Sequence, residues 1–241
     1  MLPLTERFTA ANQSFVVRYV QKSPDTFNQD LLEALESGTG PDMILLPDDL
    51  AFNYKNKIFV IPYESFSLAS FKNNFAGAGD VFLTGGGILA FPLSIDPLVM
   101  YYNRNMLDSS EVVSPPAFWD DFTAMAPRLT EKNESNKITK SAVALGHFSN
   151  VTHAKDILSA LFMQMGNKIV SEKDGIFDSL LDRPEALSSL PAVLKFYTDF
   201  ANPTEAVYSW NKSFSDSKEV FTREDTAFYF GYASELASLI N

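Results

Sequence analysis

The stretch Gly38-Thr39-Gly40-Pro41-Asp42-Met43-Ile44-Leu45-Leu46-Pro47 limits the fold of this chain more tightly than any other. A helix breaker and a tight turn run into a short apolar segment, which closes on a proline and the acidic pair Asp48-Asp49. Read as a strand, Met43–Leu46 ends where its carboxyl edge becomes a polar lip. In open parallel sheets, ligands bind in the crevice beyond such strand ends. A second apolar segment, Ile88–Pro92, is followed in the same way by Asp96. Two strand ends, each trailed by a carboxylate, describe a cleft that holds something.

The surrounding pattern extends this reading. Phe15–Val20 is β-branched and aromatic, as a strand is. Ser23 and Pro24 suit the N-cap and first position of a helix whose apolar stripe is Phe27, Leu31, Leu32 and Leu35, and which Gly38 stops. Strand–helix–strand is the signature of parallel α/β architecture. Helical pieces are expected near 48–54 and 65–76. Gly85-Gly86-Gly87 reads as a hairpin-like turn, because it lacks the lysine and following helix of a phosphate cradle. Downstream the pattern predicts a strand at 98–103, a short helix from Asn105 and a helix over 117–128. A polar hairpin tip follows at 130–141, then a strand at 142–145. Thr152 caps a helix that runs to Met165 and stops at Gly166. A hairpin at 168–175, a helix at 184–200, a short helix at 215–221 and a buried strand from Thr226 to Gly231 complete the chain. The natural seam lies near Asn103–Asn105, giving a first α/β unit over 1–103 and a second over 104–241.

Composition removes several function classes. The chain has 241 residues and a formal net charge of -11, so it shows no basic face for nucleic acid and would repel a phosphate backbone. It has no cysteine, which excludes disulfides, thiolate metal sites and a Cys nucleophile. Its two histidines, His147 and His153, cannot build a His-rich metal site. No apolar run has the length of a membrane span, and Met1–Arg7 has neither the basic nor the apolar region of a signal peptide. Four Asn-x-Ser/Thr triplets carry no secretory conclusion, since the triplet arises readily by chance. There is no Gly-x-Ser-x-Gly elbow for a serine hydrolase. Paired carboxylates would suit glycoside hydrolysis, but nothing places one in an apolar pocket while another stays solvated. No catalytic residue is assigned.

Four segments resemble one known family, the extracellular solute-binding proteins of sugar-type ABC importers, the maltose-binding-protein-like group. They are Ser37–Ile44; Ala90–Leu107, with its proline strand and Tyr-Tyr-Asn-Arg crossover; Ser114–Phe122, with Pro-Pro-Ala-Phe-Trp-Asp; and Phe221–Gly231. The order and spacing are the family's, and the match covers nearly the whole chain. The family's opening strand has no counterpart, and the chain stops shortly after Gly231, so the resemblance implies an internal fragment. It implies a two-lobed, type II periplasmic-binding-protein-like α/β fold, incomplete at both ends.

The resemblance also implies a function and a site. The function is to bind a carbohydrate, an oligosaccharide, between the lobes and deliver it to the membrane permease subunits. No cofactor, metal or nucleic acid is involved. The parent protein would be extracytoplasmic, with any membrane association made through a lipid anchor outside this chain. Binders of a polyol, a glycerol phosphate or an iron complex are the alternatives, and a glycoside-acting enzyme a more distant one. By family position the ligand-binding residues are Asp48, Asp49 and Asp96 in the first lobe, and Asn150, His153, Asp156, Tyr232 and Ser234 in the second. Asp48 and Asp49 equally suit a helix N-cap, and Asp96 before Pro97 a turn.

Overall fold

Thr226–Tyr232 is an apolar, aromatic run that is buried along all but its last residue, and a strand buried on both faces has to lie inside a sheet. In the computed structural model, which describes residues 2–173 and 176–240, it is the inner strand β8 of a four-stranded sheet. The chain divides into two compact units, Met1–Leu93 and Ser94–Asn241.

The second unit is built on that sheet, in the order β3-β8-β5-β4. Strand β3 (Leu98–Tyr102) runs antiparallel to β8, with Tyr101 opposite Tyr229 and Met100 opposite Phe230. Strand β5 (Ile138–Val143) runs parallel to β8, with Val143 opposite Phe228. Strand β4 (Glu131–Lys132) forms a hairpin with β5. The hairpin tip is set by the Asn133 side chain, which accepts from the amides of Ser135 and Lys137 at 3.1 and 2.9 Å. A parallel pair needs a long crossover. Here the β5–β8 crossover holds α7 (Ala154–Gln164), the hairpin β6–β7 (Val170–Lys173 and Ile176–Ser179), α8 (Pro184–Asp199) and α9 (Ser217–Thr222). Helices α5 (Arg104–Ser109) and α6 (Asp121–Leu129) join β3 to β4, and α10 (Leu236–Leu239) follows β8.

One core fills this unit. Phe122 of α6 meets Phe228 of β8 edge-to-face at 5.2 Å, while Trp210 is fully buried and stacks on Phe214 at 4.6 Å. Ile157, Leu161, Tyr197, Phe200 and Val220 bring the crossover helices onto the same core.

The first unit holds α1 (Leu2–Ala11), α2 (Phe27–Glu36), α3 (Asp48–Ala51), α4 (Leu68–Asn74) and the two-residue strands β1 (Leu83–Thr84) and β2 (Gly87–Ile88). Ala51, Phe82 and Leu89 form a small cluster, and Phe71 packs with the rings of Phe75 and Phe91. The turn at Gly85–Gly87 is the expected hairpin, extended by an antiparallel bridge from Ile88 to Ile61.

Several expectations are corrected. Phe15–Val20 and Met43–Leu46 form no strand, and among the described residues no segment pairs with either. Val16 is 84% exposed and Met43 76%, so the β-type composition has neither a ladder nor a core to join. The parallel sheet expected of the first unit is therefore absent from its described residues. Strand β3 lies with the second unit, hydrogen-bonded to β8 along its whole length. Helix α2 starts at Phe27 with Thr26 as N-cap, after a turn at 24–26. Helix α6 starts at Asp121 rather than Ala117, because the Asp121 carboxylate accepts from the amides of Ala117 and Phe118, both at 2.9 Å. The cap of α7 is His153, not Thr152. Strand β8 continues through Gly231 to Tyr232.

Candidate functional site

The polar side chains of the second unit converge where β8 runs out. After Tyr232 the chain turns through a short 3-10 segment, Ala233–Glu235, and the Glu235 side chain reaches back to the Tyr232 amide at 2.8 Å. This return is possible because residue 231 is a glycine. A Cβ there would lie 2.5 Å from the Tyr229 ring and 2.8 Å from Oε1 of Glu235, closer than real contacts allow. Gly231→Ala is expected to displace Glu235 and cost about 1–3 kcal/mol of stability by overpacking. Urea unfolding measures this, and a wild-type midpoint would show that the close approach does not exist.

Glu235 is the hub of the cluster. Its Oε1 also accepts from His153 Nε2 at 2.7 Å. Its Oε2 accepts from Tyr229 Oη at 3.0 Å and lies 2.8 Å from Lys218 Nζ. Burial opposes ionisation, but the hydrogen bonds from Lys218, the Tyr232 amide, Tyr229 and His153 outweigh it and hold the carboxyl down at about 2. Burial, then the bond to this carboxylate, pushes the Tyr229 phenol up. Lys218 is delivered by the first turn of α9, whose N-cap is Asp216. Asp216 also accepts a short hydrogen bond from the Thr152 hydroxyl.

His153 sits at the start of α7 in the left-handed region, with φ of 61°. Its ring meets that of Tyr232 edge-on at 4.7 Å, and its Nδ1 lies 3.8 Å from Asp156 of the first helical turn. Asp96 ties two chain segments together. One carboxylate oxygen accepts from the Ser234 amide at 2.8 Å and the other from its hydroxyl at 2.6 Å. Beside it the Ala233 amide donates to the Pro97 carbonyl at 3.0 Å, and the Tyr101 hydroxyl to the Tyr232 carbonyl at 2.8 Å.

Of the eight residues expected at the site, Asp96, His153, Asp156, Tyr232 and Ser234 are thus joined by direct contacts and by the Glu235 turn. Asn150 lies on the same loop as His153, but its carboxamide faces inward. It donates to the carbonyls of Asn211 and Phe214 at 3.0 and 3.1 Å and accepts from Trp210 Nε1 at 3.2 Å. Asp48 opens α3 in the first unit and is exposed. The side chain of Asp49 lies outside the described residues. Glu235, Lys218, Tyr229 and Tyr101 are members that the sequence reading missed. The available signal was a glutamate three residues after Tyr232, the spacing of a capping box. Among the described residues no group of His, Asp and Glu is arranged to hold a metal ion.

Comparison with known proteins places this architecture. A cyclo/maltodextrin-binding protein solved with maltotetraose superposes with a TM-score of 0.71 at 20% identity, covering 99% of this chain and 57% of that one. An ABC substrate-binding protein of Listeria monocytogenes, solved with cycloalternan, gives 0.62 at 16% identity, covering 100% and 60%. The fold is that of the two-lobed periplasmic binding proteins. Residues 4–241 match the model of the bacterial extracellular solute-binding proteins, and the chain belongs to that family. A Brucella abortus (strain 2308) protein described as a binding protein is 22% identical over 126 residues, 51% of this chain and 30% of that protein. The chain thus spans less than a third of this curated relative and under two thirds of the two solved structures.

Proposed function

We propose that this chain is part of the substrate-binding component of an ABC importer, taking an oligosaccharide from outside the cytoplasm and handing it to the membrane permease. The two units are its lobes, and the cluster at the end of β8 is the second lobe's contribution to the ligand site. One observation carries the reading: the ionised groups of this cluster are each hydrogen-bonded or ion-paired within the protein. Glu235 faces Lys218 and His153, Asp96 faces Ser234, and Asp156 lies 3.5 Å from Lys155. A neutral, hydroxyl-rich guest enters such a site without leaving a buried charge unpaired, whereas a phosphate or a metal complex would unbalance it. The tyrosine and histidine rings at the lip offer faces for the apolar side of a sugar ring. The saccharides in the two superposed structures support the same class.

The cluster also lacks the parts of a catalyst. The Ser234 hydroxyl is engaged by Asp96 and the His153 Nε2 by Glu235, so neither activates the other. The role is therefore binding without turnover. A thermal-shift panel of maltotetraose, cycloalternan and mannotriose on the complete gene product tests it. A ligand present at about 100 times its Kd adds about 2.7 kcal/mol to the native state, a rise of roughly 3–5 °C in the Tm of a protein longer than this chain. A flat response to every saccharide, with a shift on glycerol phosphate, would move the assignment to an anionic solute.

A further inference from the structure

Resting on that reading, we propose that Glu235 is a positioning residue for ligand binding: it fixes the His153 and Tyr232 side chains as one preset wall of the site. Three observations carry this. First, a single Glu235 oxygen accepts from both the His153 ring at 2.7 Å and the Tyr232 amide at 2.8 Å, so one atom sets the relation between two elements far apart in sequence. Second, the two side chains it holds are in edge-to-face contact at 4.7 Å, so orienting one orients the other. Third, His153 occupies a left-handed conformation that a non-glycine residue keeps only when its surroundings over-determine it. The backbone here is held by the amides of Asp156 and Ile157 on the His153 carbonyl and by Ser217 on the Thr152 amide. No side-chain capping bond orients the ring, so the bond to Glu235 is its closest polar contact.

The opposite carboxylate oxygen has a different task. It takes Lys218 and Tyr229, which anchor the carboxylate to α9 and β8. Glu235 has 12% of its side chain exposed, against 22% for His153, and both its carboxylate oxygens are engaged by protein groups. It acts through its neighbours and not on the guest. An ionised carboxylate is acceptor-only, which requires His153 Nε2 to carry a proton. Preorganisation of this kind lowers the ordering cost of binding and shows in affinity.

The test uses Glu235→Gln in the complete gene product, with two readouts. Nitrogen-15 spectra of the imidazoles, with the His153 signal assigned by its loss in His153→Ala, should show the His153 Nε2 protonated in the wild type and a mixture of ring forms in Glu235→Gln. Calorimetric titration with whichever of maltotetraose, cycloalternan and mannotriose raises the wild-type Tm most should show a Kd at least about ten-fold weaker at unchanged stoichiometry. A merely structural role would lower the stoichiometry and leave the Kd of the folded fraction alone. Adding His153→Ala to Glu235→Gln should cost less than His153→Ala costs alone, since both remove one interaction. Should Glu235→Gln fail to fold, Glu235→Asp, which keeps the charge and shortens the reach, is read on the same observables. An unchanged His153 spectrum, or fully additive losses, overturns the proposal. If no saccharide binds the wild type, the functional reading fails instead, and the spectra alone decide whether Glu235 sets the ring.

Discussion

Trp210→Ala is expected to lower the stability of the second unit by about 3–5 kcal/mol, the cost of removing a large ring from a packed core. The indole is fully buried and stacked on Phe214 with an interplanar angle of 12°. Its loss also strips Asn150 Oδ1 of its donor. The same Asn150 holds the carbonyls of Asn211 and Phe214, so a cavity and a broken polar staple arise together. That loop carries His153, so damage to the core reaches the candidate site. Thermal unfolding should show a fall in Tm of roughly 10 °C or more. A change below about 1 kcal/mol would mean that the ring does not occupy the core described.

Acid should reveal the second large effect. The Glu235 carboxyl lies at about 2 in the folded protein, against an ordinary 4.5. A carboxyl held below its unfolded value stabilises the fold above that value and loses the contribution as pH falls through the folded one. Glu235 should therefore contribute roughly 3 kcal/mol at neutral pH, of which about 2 is gone by pH 3. Glu235→Gln removes this contribution at pH 7 and flattens the acid limb. Urea unfolding of both proteins at pH 7 and pH 3 measures it: their stabilities should converge as the solution is acidified. Parallel curves across that window would show that Glu235 titrates normally and is not held by Lys218, Tyr229, Tyr232 and His153.

Legibility in the sequence followed the range of the interactions that make each element. Helix α8 declared itself through Pro184 at its start, a local signal, although of its apolar positions Val193 and Tyr197 are buried while Leu187 and Leu194 are exposed. Strand β8 did so because a strand buried on both faces is apolar without interruption. The polar run at 130–141 and the glycines at 85–87 marked their turns locally too. Phe15–Val20 and Met43–Leu46 failed because a strand exists only with a partner, and β-type composition says nothing about whether one is present. Of the eight residues the resemblance implied for a site, Asp96, His153, Asp156, Tyr232 and Ser234 meet in one cluster, whereas Asp48 lies in the first unit and Asn150 faces inward. Glu235 stayed hidden because its importance comes from Lys218 and His153, which are remote in sequence and meet it only after the α9 and α7 helices have packed. The inward role of Asn150 was hidden likewise, since Trp210 and Phe214 reach it from another part of the crossover.

Calorimetric titration of the complete gene product with maltotetraose, cycloalternan and mannotriose tests the central claim most directly, provided the saccharide is recovered and weighed afterwards by mass spectrometry. At least one of them should bind saturably at one molecule per protein and be returned intact. Absence of heat with all three, or recovery of a shortened saccharide, would contradict that claim.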